Sequence, residues 1–188
     1  YVACQKGRTE IVAKLLAADA DVNQANNRGG TPLSIACHAG RTEIVKKLIA
    51  ANAHVNQASN VAGATPLYAA CWTGRTEVVA ELLAANADVN QARNDGVTPL
   101  NIACERGHTE IVAKLLAAKA NVDQAKNNGS TPMSTACRFG HLGVVQLLSS
   151  HGASRAFPFA APDDTAEGLA TRRGHHDVVA WLVRTRLW

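Results

Sequence analysis

Four copies of one short phrase punctuate the chain: Thr31-Pro32-Leu33, Thr65-Pro66-Leu67, Thr98-Pro99-Leu100 and Thr131-Pro132-Met133, at steps of 34, 33 and 33 residues. A fixed step of this length marks a repeat architecture, in which each unit is too small to bury its own apolar face and does so against its neighbours. Other markers keep the step. Ala-Cys recurs at Ala3-Cys4, Ala36-Cys37, Ala70-Cys71, Ala103-Cys104 and Ala136-Cys137, and a Gly follows each Cys three residues on, at Gly7, Gly40, Gly74, Gly107 and Gly140. A sixth, degenerate copy carries Thr165, Leu169-Ala170 and Gly174-His175. The period divides residues 1–188 into six units, about 1–30, 31–64, 65–97, 98–130, 131–164 and 165–188, and predicts one continuous array. Tyr1 aligns with Ser34, inside a first helix, which leads to the expectation that the chain is a piece of something longer.

One unit reads as helix, turn, helix, loop. Thr31 is suited to cap a helix and Pro32 to occupy its first position, where a missing N–H costs nothing. Leu33, Ile35, Ala36 and Cys37 give a small apolar face, and Gly40 ends the helix. Thr42-Glu43 starts a second helix with an acidic residue where the helix dipole favours it. Ile44, Val45, Leu48 and Ile49 recur at helical spacing as its buried stripe, and Val55-Asn56 leads into a polar, Gly-containing loop.

Thr-Pro-Leu-x-x-Ala, then Gly-(His/Arg)-x-Glu-(Ile/Val)-Val, then Leu-Leu-Ala-Ala-x-Ala-Asp-Val-Asn, at this period, resembles the ankyrin repeat over essentially the whole of residues 1–188. The resemblance implies an all-α repeat solenoid of stacked helix-turn-helix units with β-hairpin-like loops. It also implies binding of other proteins through the loop tips and the concave face of the first helices.

Several residues depart from the family pattern. Where Gly is common after the second helix, in a left-handed cap, this chain has Asp19, Asn52, Asn86 and Lys119, and Lys tolerates that conformation least. The His common after Thr-Pro-Leu is replaced by Ser34, Tyr68, Asn101 and Ser134, so its hydrogen bonds have to be replaced or lost. The loop Ser59 to Ala64 carries one extra residue, the junction from Gly152 to Asp164 holds Phe157-Pro158-Phe159 and Pro162, and the last unit has Ala166 in place of Pro. Trp181, Leu187 and Trp188 are apolar for an exposed end, which leads to the expectation that more chain or a partner covers them.

The five cysteines invite a disulfide or zinc reading, which their placement opposes. Each occupies the same position in a different unit, and helices stacked about 8–10 Å apart hold equivalent residues beyond the roughly 7 Å reach of a disulfide. They read as small buried hydrophobes, and five free thiols suggest a reducing, intracellular compartment, the cytoplasm. His108 and His141 stand where Arg8, Arg41 and Arg75 stand in other units, so that position serves a turn or a surface rather than a metal. His175-His176-Asp177 lacks helical ligand spacing, and Gly29-Gly30-Thr31 is explained by the family turn. No phosphate loop, nucleophile elbow or metalloprotease motif occurs, so no catalytic, cofactor or metal residues are assigned and the chain is read as no enzyme. The net charge of +4 does not point to nucleic acid, and no apolar run of about eighteen residues marks a membrane span. Asn23 and Asn90 also resemble targets of asparaginyl hydroxylation, although the structural Asn of the loop is the plainer reading.

Two positions between Cys and Gly keep no fixed character: Gln5-Lys6, His38-Ala39, Trp72-Thr73, Glu105-Arg106, Arg138-Phe139 and Arg172-Arg173. By the resemblance they line the concave face. The candidate partner-binding residues are therefore Lys6, His38, Tyr68, Trp72, Glu105, Arg106, Arg138, Phe139, Arg172 and Arg173, with Tyr68 one helical turn from Trp72. Loop residues Arg28, Arg93 and Lys126 extend the same sign. The stripe is basic with aromatic anchors and suits an acidic, partly apolar polypeptide segment. The expected function is a non-enzymatic protein-interaction scaffold. The alternatives are a targeting or regulatory arm of a larger enzyme or channel, or a structural subunit of a large assembly.

Overall fold

The computed structural model of the protein describes residues 1–156 and 165–185. Phe157-Pro158-Phe159, Pro162, Arg186, Leu187 and Trp188 lie outside the described residues. Among those described there are twelve helices and no strand. Two compact bodies form, Tyr1–Asp95 and Gly96–Trp188, each with its own packing.

The helix starts follow from the Thr-Pro phrase. In four repeats the Thr hydroxyl accepts a hydrogen bond from the backbone N–H three residues on, at Ser34, Tyr68, Asn101 and Ser134, each at 3.1 Å. Thr165 caps its helix in the same way through Gly168, without the Pro. The capping Thr31, Thr65, Thr98 and Thr131 are buried, so each hydroxyl meets an N–H that water cannot reach. The second helices start instead after Arg or His, which make no side-chain cap, and four of the six gain a Glu in the first turn.

In the first body, α1 (Val2–Lys6), α3 (Pro32–His38) and α5 (Pro66–Trp72) form one layer, with α3 packed on both others. α2 (Thr9–Ala17), α4 (Thr42–Ala50) and α6 (Thr76–Ala84) form the second layer, with α4 packed on α2 and α6. The second body repeats the arrangement. α7 (Pro99–Arg106), α9 (Pro132–Phe139) and α11 (Ala166–Arg172) lie in one layer, and α8 (Thr109–Ala117), α10 (Leu142–Ser150) and α12 (His176–Arg184) in the other. Ala36, Cys37, Ala70 and Cys71 in the first body, and Ala103, Cys104, Ala136 and Cys137 in the second, are wholly buried. Small side chains at this seam let the first helices approach closely.

The loops close on themselves rather than pairing as strands. Asn26 N–H donates to the Gly30 carbonyl, and the Asn26 Oδ1 accepts from Gly30 N–H, at 3.0 and 2.9 Å. Ser59 and Ala64 close the longer loop by the same pair of bonds, at 3.0 and 3.1 Å, and the extra length projects Val61 into solvent. The hairpin-like expectation thus reduces to a tight turn, because the arms are too short to build a ladder.

The missing family His is replaced in three different ways across the four repeats. Ser34 and Ser134 return their hydroxyls to the Thr carbonyl at 2.9 Å. Asn101 completes a capping box, its Oδ1 accepting from Thr98 N–H and its Nδ2 reaching the Gln124 carbonyl at 3.3 Å. Tyr68 takes Arg93 as partner, with Nη1 donating to the phenol oxygen at 3.0 Å. At the other end Trp181 is half-buried, with the Arg155 guanidinium 5.1 Å from its ring centroid and bonded to the Thr185 carbonyl and Ser149 Oγ. Part of the cover expected for Trp181 therefore comes from this chain.

Asp19, Asn52, Asn86 and Lys119 all have positive φ, between 55° and 64°. Lys119 cannot use a short polar side chain to ease this conformation. Lys119→Gly is expected to stabilise the protein by about 1 kcal/mol, raising the thermal midpoint by roughly 2–4 °C, while Asn86→Gly gives a smaller gain. Calorimetry of the two variants checks the order, and no gain at Lys119 would contradict the strain.

Candidate functional site

In the first body the candidate residues gather at the ends of the first helices. Lys6 and His38 are exposed in the last turns of α1 and α3. Trp72, which ends α5, is 37% exposed, whereas Tyr68 is only 5% exposed. The two rings lie 6.2 Å apart at a tilt of 34°. The Arg93 guanidinium sits 5.1 Å from the Tyr68 ring centroid and is itself held by Asp95 at 3.0 Å. Tyr68 is therefore buried and offers no docking surface of its own, while its ring lies beside that of Trp72. An open groove runs beside this cluster, lined by Gln5, Ile35, His38, Ala39, Ala64 and Ala69.

In the second body Arg106, Arg138, Arg172 and Arg173 are exposed at the ends of α7, α9 and α11. Phe139 is 46% exposed and lies almost parallel to the His141 ring, 6.4 Å between centroids and 10° between planes. Glu105 is not a free acid: Lys126 bonds it at 3.0 Å, and both side chains are largely shielded. Of the three loop cations, Arg93 and Lys126 are thus paired internally, and Arg28 is the exposed one. The unpredicted partners, Arg93 for Tyr68 and Lys126 for Glu105, share one loop position. Asn26 and Ser59 use that position to close their own loops.

After the turn glycines Gly40, Gly140 and Gly174, the next residue is a clip to the repeat before. Arg41 Nε donates to the Gln5 carbonyl at 3.3 Å, and His141 Nε2 and His175 Nε2 lie 3.0 Å from the Glu105 and Arg138 carbonyls. A carbonyl only accepts, so each imidazole carries its proton on Nε2. The clip needs the turn Gly of the preceding repeat: at Gly107, where φ is +71°, a Cβ would meet the His141 ring at 2.6 Å. The loop Asn makes a second tie. Asn23 Oδ1 accepts from His54 N–H at 2.7 Å, Asn56 Oδ1 from Asp88 N–H at 2.8 Å, and Asp123 from Ser154 N–H at 2.9 Å.

The five cysteines are free and buried. Burial pushes the Cys37 and Cys104 thiols far above their ordinary value and the Cys137 thiol up to about 12. They are therefore poor nucleophiles, since the thiolate is the reactive form. Among the described residues no group of three or more His, Cys, Asp and Glu side chains is placed to hold a metal. No helix there is long and apolar enough to cross a membrane.

The raised thiol values set a pH dependence. Unfolded thiols ionise near about 8.5, while the folded ones keep their protons. The unfolded chain therefore binds fewer protons above that pH, and stability is intact below about pH 8 and falls as pH rises. The slope approaches about 1.4 kcal/mol per pH unit for each such thiol. Urea titrations between about pH 8 and 10 are expected to show this fall, and Cys104→Ala is expected to lessen it by one thiol's share. An unchanged slope in the variant would contradict the assignment.

A family model described as ankyrin repeats (3 copies) matches residues 1–93 and again 86–156. Comparison with curated proteins gives no match. Repeats of this family generally mediate protein–protein interaction and are typically non-enzymatic. With helix pairs recurring at a fixed step and most of its length matched, the chain belongs to the ankyrin-repeat family.

Proposed function

We propose that the protein is a non-enzymatic interaction scaffold that holds a partner polypeptide against the ends of its first helices and its loop tips. The observation that carries this reading is Trp72, a large ring left 37% exposed beside the buried Tyr68, which Arg93 bonds. The fold has no need of an indole there: the aligned positions hold Gln5, His38, Glu105 and Arg138. A half-exposed Trp is a common anchor for a peptide side chain, because its large ring has few torsions to lose on binding. The exposed arginines Arg138 and Arg173 beside Phe139 add positive charge, so the partner segment is acidic and partly apolar.

Selection of a displayed peptide library on the intact chain is expected to enrich acidic sequences that carry an apolar residue. Trp72→Ala, and separately Arg138→Ala with Phe139→Ala, are expected to weaken the selected peptides by roughly tenfold or more, with helical content unchanged. Peptides without acidic residues, or affinities indifferent to both substitutions, would overturn the reading.

A further inference from the structure

The loop position before each tip Gly is filled differently in every repeat: Arg28, Ala62, Asp95 and Asn128 precede Gly29, Gly63, Gly96 and Gly129. Of all the asparagines in the chain, Asn128 alone is followed by Gly. A side chain on the next residue crowds that residue's backbone nitrogen, and Gly leaves the nitrogen open. Asn128 is exposed at the loop tip, and Gly129 has a φ of +80°. An electrophilic carboxamide and an uncrowded backbone nitrogen are thus neighbours in a turn that solvent reaches.

The turn also activates the carboxamide. Asn128 Oδ1 accepts from the Ser130 N–H at 3.0 Å, which draws charge from Cγ and stabilises the negative oxygen formed on attack. Asn128 Nδ2 has no partner among the described residues, so nothing retains it as a leaving group. Other loop residues lack one or more of these features. Asn26 Oδ1 accepts from Arg28 N–H and Gly30 N–H, both at 2.9 Å, but Asn27 follows it. Asn23 and Asn56 are tied to the next repeat's backbone, and Asn101 is buried. Asp95 precedes a Gly, but its group is a carboxylate held by Arg93 at 3.0 Å, and a carboxylate resists attack. One bond opposes the reaction at Asn128. Gly129 N–H donates to the Lys126 carbonyl at 2.9 Å, so the turn has to open locally before its nitrogen attacks.

We propose that Asn128 is a site of spontaneous, one-way modification, converting through a succinimide to aspartate and isoaspartate. The Gly129 backbone nitrogen gives its proton to hydroxide and bonds to Asn128 Cγ. The Cγ–Nδ2 bond breaks, and Nδ2 takes a proton from water and leaves as ammonia. A second water then opens the imide ring. Cleavage at Cγ restores the main chain with an aspartate, whereas cleavage at the main-chain carbonyl carbon leaves a β-linked isoaspartate. No electron is transferred. Both products place a new carboxylate two residues from Lys126, whose ammonium bonds Glu105 at 3.0 Å, so two carboxylates compete for one cation. The isoaspartate also lengthens the main chain between the Lys126 N–H and the Ser130 carbonyl, which close the turn at 2.9 Å. The inference is independent of the partner-binding reading.

The test incubates the intact chain in mildly alkaline buffer and follows each Asn by mass spectrometry of its digest. The free peptide Lys-Asn-Asn-Gly-Ser-Thr, residues 126–131, is incubated alongside as a measure of the same chemistry without the turn. Conversion at Asn128 is expected to exceed that at every other Asn by roughly tenfold or more, and to accelerate with pH. Both products are expected, at a rate below that of the peptide, whose Gly nitrogen is not held. Gly129→Ala is expected to slow conversion by roughly tenfold, with helical content unchanged. Asn128 left unconverted once the peptide has converted would overturn the proposal, as would another Asn converting as fast. Aspartate formed without isoaspartate would also overturn it, because direct hydrolysis of the amide gives aspartate only.

Discussion

No described helix in this protein exceeds nine residues, and that length decides everything else. Isolated helices shorter than about 12–15 residues are marginal in water. Each helix pair also has too little apolar surface to close a core alone. Stability therefore comes from neighbour on neighbour within each body, and each residue at a seam is selected by the repeat beside it as much as by its own. The wholly buried Ala-Cys pairs follow from this, as does the absence of reactive thiol chemistry: the seam that calls for small side chains also keeps the thiols protonated.

Apolar stacking alone would not fix the register between repeats, because a smooth seam of Ala, Val and Leu tolerates sliding. The polar ties remove that freedom. The clip from Arg41, His141 or His175 reaches one specific carbonyl, and the loop oxygen of Asn23, Asn56 or Asp123 reaches one specific amide. Each also satisfies a backbone group that the short elements leave open. The clips use the backbone carbonyls at the ends of the first helices, not the side chains, so side chains as different as those of Lys6, Trp72 and Arg138 can occupy them.

The period made the helices, their caps and the buried cysteines readable before any coordinates, and the family resemblance added the left-handed Lys119. Pairings between a residue and another 21 to 37 positions away were not readable in the same way. Arg93 looked like one more surface cation, yet it holds Tyr68. Lys126 looked like part of a basic stripe, yet it neutralises Glu105. A signal was present: Tyr68 departs from its aligned Ser and Asn residues in the same repeat in which Arg93 departs from Asn26 and Ser59, and Glu105 and Lys126 share a repeat likewise. Paired departures within one unit are the mark of contact. Similarly, the choice between Arg and His after the turn Gly read as a surface matter, since only the fold brings it against the preceding repeat's carbonyl.

The loop from Ser59 to Ala64 carries a consequence for how such a chain diversifies. It is closed by the same two bonds as the shorter loop from Asn26 to Gly30, and Asn60 N–H still reaches the Arg28 carbonyl of the neighbouring loop, so these bonds hold while the number of residues between them varies. Reach becomes a variable separate from chemistry. A tip can be lengthened, as Val61 shows, with the closing bonds kept, and a molecule touching several tips meets a profile of heights. Insertions, which disrupt most folds, are here a graded means of changing shape.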